Sequence, residues 1–206
     1  MLGGDSYPGT LSADQMTLVF DGVDLGKAPG TEKTVYVAVS AGHDAPPATS
    51  SLTFTVGRKT SPSTPVVIQP AFSLAPGGNP VDLARDGTSV RYPGMEIVNN
   101  GVQNVPLQTI TVTAPAGLHF GTPANPDHQL TIMDVSGTQP PYMGSLSADG
   151  QTPTFTGVDL KIPNDQDRAN LRVCVSADTT TSEGPTAVGF AVGPYMTSQS
   201  TSINIT

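Results

Sequence analysis

Three histidines, one cysteine and a few loop carboxylates are the side chains here with the chemistry to bind a metal, move a proton or attack a carbon. His119 and His128 flank the loop Gly121-Thr122-Pro123-Ala124-Asn125-Pro126-Asp127. Two imidazoles and a carboxylate could hold zinc, but this spacing is not a known zinc pattern. His43 sits in Gly42-His43-Asp44, and the corresponding loop later in the chain has no histidine. Asn164, Asp165 and Asp167 form an acidic loop cluster of the oxygen type that calcium takes. The expectation at each place is a solvated loop. Cys174 is alone, so the chain holds no internal disulfide. It is expected as a small half-buried strand residue, because a reactive thiol needs an activating environment. The sequence contains no Gly-x-Ser-x-Gly elbow, phosphate loop or dinucleotide glycine pattern. No catalytic, cofactor-binding or metal-binding residues are therefore assigned, and no enzyme is expected.

The elements that would position these groups are strands. Gly 22 and Pro 20 are numerous and charged residues make up only 13%, while Val, Thr and Ser dominate the patterned stretches. β-branched residues suit a pleated surface, and Gly and Pro punctuate turns. Val35, Val37 and Val39 alternate with Tyr36, Ala38 and Ser40; Leu52, Phe54 and Val56 alternate with Thr53 and Thr55. Period two marks strands with one buried face. Leu107 to Thr113 reads the same way, with Ile110 and Val112 on the apolar side. No stretch has convincing helical spacing.

The chain repeats itself. Leu11-Ser12-Ala13-Asp14 and Phe20-Asp21-Gly22-Val23-Asp24-Leu25 recur 135 positions later as Leu146-Ser147-Ala148-Asp149 and Phe155-Thr156-Gly157-Val158-Asp159-Leu160. Tyr7 and Gly9 match Tyr142 and Gly144. Val37 to Ala41 matches Val173 to Ala177, and Phe54 to Gly57 matches Phe190 to Gly193, at an offset of 136; Ile68 matches Ile205 at 137. The offset grows in polar, Gly/Pro-rich stretches, where loops absorb insertions. This predicts a partial unit over 1–60, holding only the second half of the pattern, and a complete unit over 61–196. Residues 197–206 are predicted to be the first strand of a following unit. That strand is expected to pair with an edge of the partial unit, in its own chain or a neighbour's. Phe20, Val37, Phe54, Phe155, Val173, Phe190 and Val192 are the expected core.

Glu96-Ile97-Val98-Asn99-Asn100-Gly101 and Ile110-Thr111-Val112-Thr113-Ala114-Pro115-Ala116-Gly117-Leu118-His119-Phe120 resemble the tandem immunoglobulin-like modules of bacterial secreted and surface proteins, actinobacterial ones especially. The shared features are an Asn-x-Gly turn, a Thr/Val strand and a Pro-x-Gly-Leu exit. The resemblance implies an all-β fold of immunoglobulin-like β-sandwich repeats, and extracellular spacer, adhesion or assembly work without shared catalytic residues.

The net charge of −8 leaves no basic footprint for nucleic acid. No apolar run approaches the roughly 20 residues of a membrane-spanning helix, so membrane insertion is not expected. Met1-Leu2-Gly3-Gly4-Asp5 lacks the features of a signal peptide. The expected location is extracellular or at the cell surface. The expected role is a non-enzymatic structural, assembly or adhesion module whose partners are itself or neighbouring repeats, joined by strand exchange. A second role is a glycan- or cell-surface-binding module using Tyr7, Tyr92, Tyr142 or Tyr195.

Overall fold

The computed structural model describes residues 7–14, 16–24, 34–42, 45–101, 105–134, 137–193 and 199–206. The expectations placed on His43, Leu25 and Tyr195 lie outside these residues. The chain divides into two compact units, Met1–Ser40 and Ala41–Thr206.

The first unit contains β1 (Thr10–Leu11) and β2 (Leu18–Val19), an antiparallel hairpin. The second opens with β3 (Ala48–Leu52), β4 (Thr55–Val56), β5 (Lys59–Thr60) and β6 (Thr64–Ile68). There β3 pairs antiparallel with β6, and β4 with β5. Next come β7 (Phe72–Pro76), β8 (Val81–Leu83), β9 (Gly94–Asn99), β10 (Gln108–Thr113), β11 (Leu118–Thr122), β12 (Asn125–Pro126), β13 (Gln129–Asp134) and β14 (Gly137–Thr138). The series ends with β15 (Tyr142–Met143), β16 (Ser145–Leu146), β17 (Pro153–Val158), β18 (Arg168–Val173), β19 (Val175–Ala177), β20 (Gly184–Val192) and β21 (Gln199–Ile205).

Strands β7 to β21 form a sandwich. One sheet runs β14-β13-β18-β9-β7, and the other β16-β17-β10-β20-β21-β8. Reading β7, β9, β18 and β13 as A, B, E and D, and β10, β20 and β21 as C, F and G, gives the two-sheet order of an immunoglobulin fold. Strands β14 to β17 are an insertion between D and E, and the β16–β17 hairpin widens the C side of its sheet. The fold is all-β: none of the described residues is helical.

Alternation builds the core. Met95, Ile97 and Asn99 of β9, Ile110 and Val112 of β10, Ala169, Leu171 and Val173 of β18, and Val188, Phe190 and Val192 of β20 are buried, with polar or half-buried residues between them. These apolar residues belong to one cluster with Phe155 and Ile203. Asn99 is the polar member of its strand face. Its amide donates to the Ile162 carbonyl at 2.7 Å, and its side-chain oxygen accepts the Gly101 amide at 3.0 Å. A buried amide is tolerable only when so bonded.

The segment expected to open a following unit has a different place. Strand β21 pairs antiparallel with β20 along Gly184–Phe190 and parallel with β8 at Val81–Leu83, all within its own chain. Thr201, Ile203 and Ile205 enter the core. The expected pairing with an edge of the partial unit is therefore replaced by closure of the complete sandwich. The reason is the buried alternate face of β21, which an exposed strand would leave wet.

After β8 the chain turns on Asp86. Its carboxylate accepts the Thr88 and Ser89 amides at 2.8 and 2.6 Å and the Ser89 hydroxyl at 2.5 Å. Those bonds, Ser89's first, hold the carboxyl well below the ordinary carboxylate range. A depressed folded pKa gives stability that is present above the unfolded value of about 4 and lost as pH falls through the folded value. Asp86→Asn removes that contribution. Its melting temperature should therefore fall less steeply than the parent's between about pH 4 and pH 2. Parallel curves would show that the turn gives no pH-linked stability.

Candidate functional site

The repeat is reproduced bond by bond. In the β16–β17 turn, the Ser147 hydroxyl donates to Asp149 at 2.5 Å, Asp149 accepts the Gln151 amide at 3.0 Å, and Ser147 accepts the Thr152 amide at 2.9 Å. In the β1–β2 turn, Ser12 donates to Asp14 at 2.6 Å, Asp14 accepts the Met16 amide at 3.0 Å, and Ser12 accepts the Thr17 amide at 2.9 Å. Both aspartates are held below their ordinary range, first by the serine hydroxyl. Tyr142 donates to the Asp159 carbonyl and Tyr7 to the Asp24 carbonyl, each at 3.4 Å. A Cβ at Gly144 would lie 2.7 Å from the Phe155 ring, and one at Gly9 would lie 2.8 Å from the Phe20 ring. Glycine is needed at both positions so that the ring can lie against the backbone.

The register repeats as well. Thr10 faces Val19 and Leu11 faces Leu18; in the later copy Ser145 faces Thr154 and Leu146 faces Pro153. Ala48 faces Ile68 and Leu52 faces Thr64; in the later copy Gly184 faces Ile205 and Val188 faces Thr201. So β6 is to β3 what β21 is to β20.

The copies differ in what lies beside them. In the complete unit β10 bonds to β17 on one side and β20 on the other. Strand β18 lies between β13 and β9. Among the described residues the first copy has no counterpart of β9, β10 or β13. Its residues 34–40, expected as a strand, form none, whereas their counterparts lie in β18 and β19. Phe20, Val37 and Phe54 were expected in a core, and this is corrected. Phe20 is 36% exposed where Phe155 is sealed, and Val37 and Phe54 are only half-buried. Val56 is 59% exposed, against 0% for its counterpart Val192. The expected burial of Phe155, Val173, Phe190 and Val192 is observed. The alternation is the same in both copies, but a face is buried only when another sheet covers it. Most of the exposed large hydrophobic side chains, including Leu11, Leu18, Val19, Phe20, Val35 and Val56, precede residue 69.

The groups with reactive chemistry are dispersed. His119, on β11, binds Asp178 at 2.8 Å rather than His128 or Asp127. Asp127 accepts the Gln129 amide at 3.1 Å. Ser176 faces His119 across the β11–β19 ladder, but its hydroxyl is fully buried and makes no hydrogen bond, so no relay to the imidazole forms. Asp167 accepts from the Asn164 amide and side chain, each at 2.9 Å, and Asp165 accepts from Gln166. Among the described residues no three His, Cys, Asp or Glu side chains gather to hold a metal. Cys174 is buried, more deeply than expected, and burial pushes its thiol up, which works against reactivity. Tyr92 is 58% exposed, while Tyr7 and Tyr142 are half-buried. An open groove of about 450 Å³ lies between Pro115–Leu118 and Thr180–Thr186, with Glu183 as its charged residue.

The His119–Asp178 contact is a partly exposed side-chain hydrogen bond of the kind worth about 1 kcal/mol or less. His119→Ala combined with His128→Ala should leave the urea midpoint nearly unchanged. Stoichiometric zinc in the purified protein, lost in this double variant, would overturn that expectation.

No protein-family model and no curated protein sequence matches the chain. Solved structures share its fold class only loosely. The Bacillus cereus major pilin subunit BcpA aligns at 9% identity and TM-score 0.43, covering 73% of this chain and 46% of that one. The collagen-binding domain of a Staphylococcus aureus adhesin aligns at 9% identity and TM-score 0.36, covering 67% and 98%. AvmM, which catalyses macrocyclization in alchivemycin A biosynthesis, aligns at 9% identity and TM-score 0.38, covering 68% and 90%.

Proposed function

We propose that this chain is a non-enzymatic structural or adhesion module of a cell surface or extracellular assembly, built from immunoglobulin-like repeats that associate with one another by strand pairing. In this reading a unit boundary falls between residues 68 and 69, and the complete unit runs from 69 to 206. The observation that carries it is the duplication itself. The turn bonds, the tyrosine clamp and both hairpin registers recur in the first copy, but most of its apolar side chains remain open. Such a surface suits burial against another repeat rather than a soluble substrate. The half-buried positions of Tyr7 and Tyr142 favour this over sugar stacking, which needs open rings on one face.

Sedimentation velocity over a hundredfold concentration range tests the reading. Concentration-dependent assembly that is suppressed by Phe20→Asp is expected. A monomer at every concentration that instead co-sediments with cell-wall polysaccharide would replace it with the glycan-binding role.

A further inference from the structure

Strand β7 is the longest open edge of the complete sandwich. It runs for five residues at the end of its sheet, and among the described residues no strand pairs with it on the side away from β9. The other strands at the ends of the two sheets, β8, β14 and β16, have three, two and two residues. Natural edges are defended by brevity, by charge or by proline. No charged residue lies between Lys59 and Asp82, so two copies of this chain meet no like charges on the strand itself, despite the net charge of −8.

Proline is the defence that remains, and its spacing selects a register. The Asn100 amide donates to the Ala71 carbonyl at 2.9 Å, and the Gly77 amide to the Gly94 carbonyl at 2.8 Å. Main-chain groups alternate sides along an antiparallel strand, so Ala71, Ser73, Ala75 and Gly77 bond towards β9. Phe72, Leu74 and Pro76 turn theirs outward, and Pro70 stands at the next such position. Proline has no N–H. The outward donors are therefore the Phe72 and Leu74 amides, bounded on each side by a proline. An antiparallel strand that sets its Leu74 opposite Phe72 and its Phe72 opposite Leu74 uses both amides and both carbonyls. A shift by two residues either way sets a proline opposite one of them and leaves a carbonyl unmet. The strand that fits this pattern is a second β7.

We propose that β7 is a self-complementary edge through which two copies of this chain pair antiparallel, joining their sheets into one. This rests on the assembly reading above and adds to it a contact that does not involve the first copy of the repeat. The contact is a twofold one, with the same residues on both sides. Ser73, which is exposed, lies on the axis opposite Ser73 of the second copy.

The test uses the Phe20→Asp chain, in which the contacts of the first copy are suppressed and assembly is expected to stop at this dimer. Sedimentation velocity should show a monomer–dimer equilibrium. Ser73→Lys sets two like charges face to face and should weaken dimerisation at least about tenfold, as should Ser73→Glu; an equimolar mixture of the two should restore it. Restoration also shows that both variants are folded. Register is read by oxidation, because directly opposite residues of this kind have Cα atoms about 4.5 Å apart, within disulfide reach. Ser73→Cys should cross-link two chains and Ala75→Cys should not; the native Cys174 is buried. A monomer at every concentration, undiminished pairing of Ser73→Lys, a mixture that fails to restore it, or cross-linking at position 75 instead of 73 overturns the pairing. If the parent chain still assembles through Phe20, only this inference fails; if it is monomeric too, the assembly reading fails with it.

Discussion

Phe155→Ala should destabilise the sandwich by about 3–5 kcal/mol, whereas Phe20→Ala, the same position one repeat earlier, should cost less than about 1 kcal/mol. The Phe155 ring is fully buried in the cluster that joins the two sheets, and it lies against Gly144. Truncation leaves a cavity that rigid strands cannot collapse to fill. Phe20 keeps the local contact with Gly9 but remains 36% exposed. The pair therefore separates the value of a sequence motif from the value of its burial. Urea unfolding followed by circular dichroism measures both, since the chain has no tryptophan to report on. Similar losses from the two variants would mean that the first copy is as well covered as the second.

Removing residues 199–206 should abolish cooperative unfolding altogether. Strand β21 is an inner strand, hydrogen-bonded to β20 and β8. Its loss removes Ile203 and Ile205 from the core and uncovers the edges of both neighbours. Each isoleucine alone is worth about 2–5 kcal/mol when truncated to alanine. The two together, with the broken ladders, approach the total of about 5–15 kcal/mol that a domain possesses. The readouts are a flat thermal trace and dye binding to exposed apolar surface. A truncated protein with an unchanged melting temperature would show that β21 is dispensable to its own sandwich.

Much of the strand content was legible from alternation, because Ile110/Val112 and Phe190/Val192 show their buried phase in the sequence itself. The duplication was legible too, down to the Ser-Ala-Asp turn. The fate of the ends was not. Ile203 and Ile205 show the same alternation whether they belong to an opening or a closing strand; only the partners β20 and β8 decide it. Likewise Val35, Val37 and Val39 alternate as a strand should, yet form none, and among the described residues no strand corresponds to those that flank their counterparts. Periodicity reports which residues could share a face, not whether anything lies across from it. The loop histidines and carboxylates had no such pattern, and only coordinates separate His119 with Asp178 from His119 with His128.

The parallel pairing of β8 with β21 carries a mechanical consequence. Ile203 faces Val81, Asn204 faces Asp82 and Ile205 faces Leu83. The Thr206 amide bonds the Leu83 carbonyl at 3.0 Å, the Arg85 amide bonds the Thr206 carbonyl at 3.1 Å, and the Asn204 side chain bonds Asp82 at 2.9 Å. Tension reaching β8 from the amino-terminal side and β21 from the carboxy-terminal side drags two parallel neighbours in opposite directions along their common axis. The bonds between them are then loaded simultaneously, in shear, instead of opening one after another as in an unzipping hairpin. Strand β7 precedes β8 and is held antiparallel to β9 from Phe72 to Pro76, so the short β8–β21 ladder takes this load once β7 has given way.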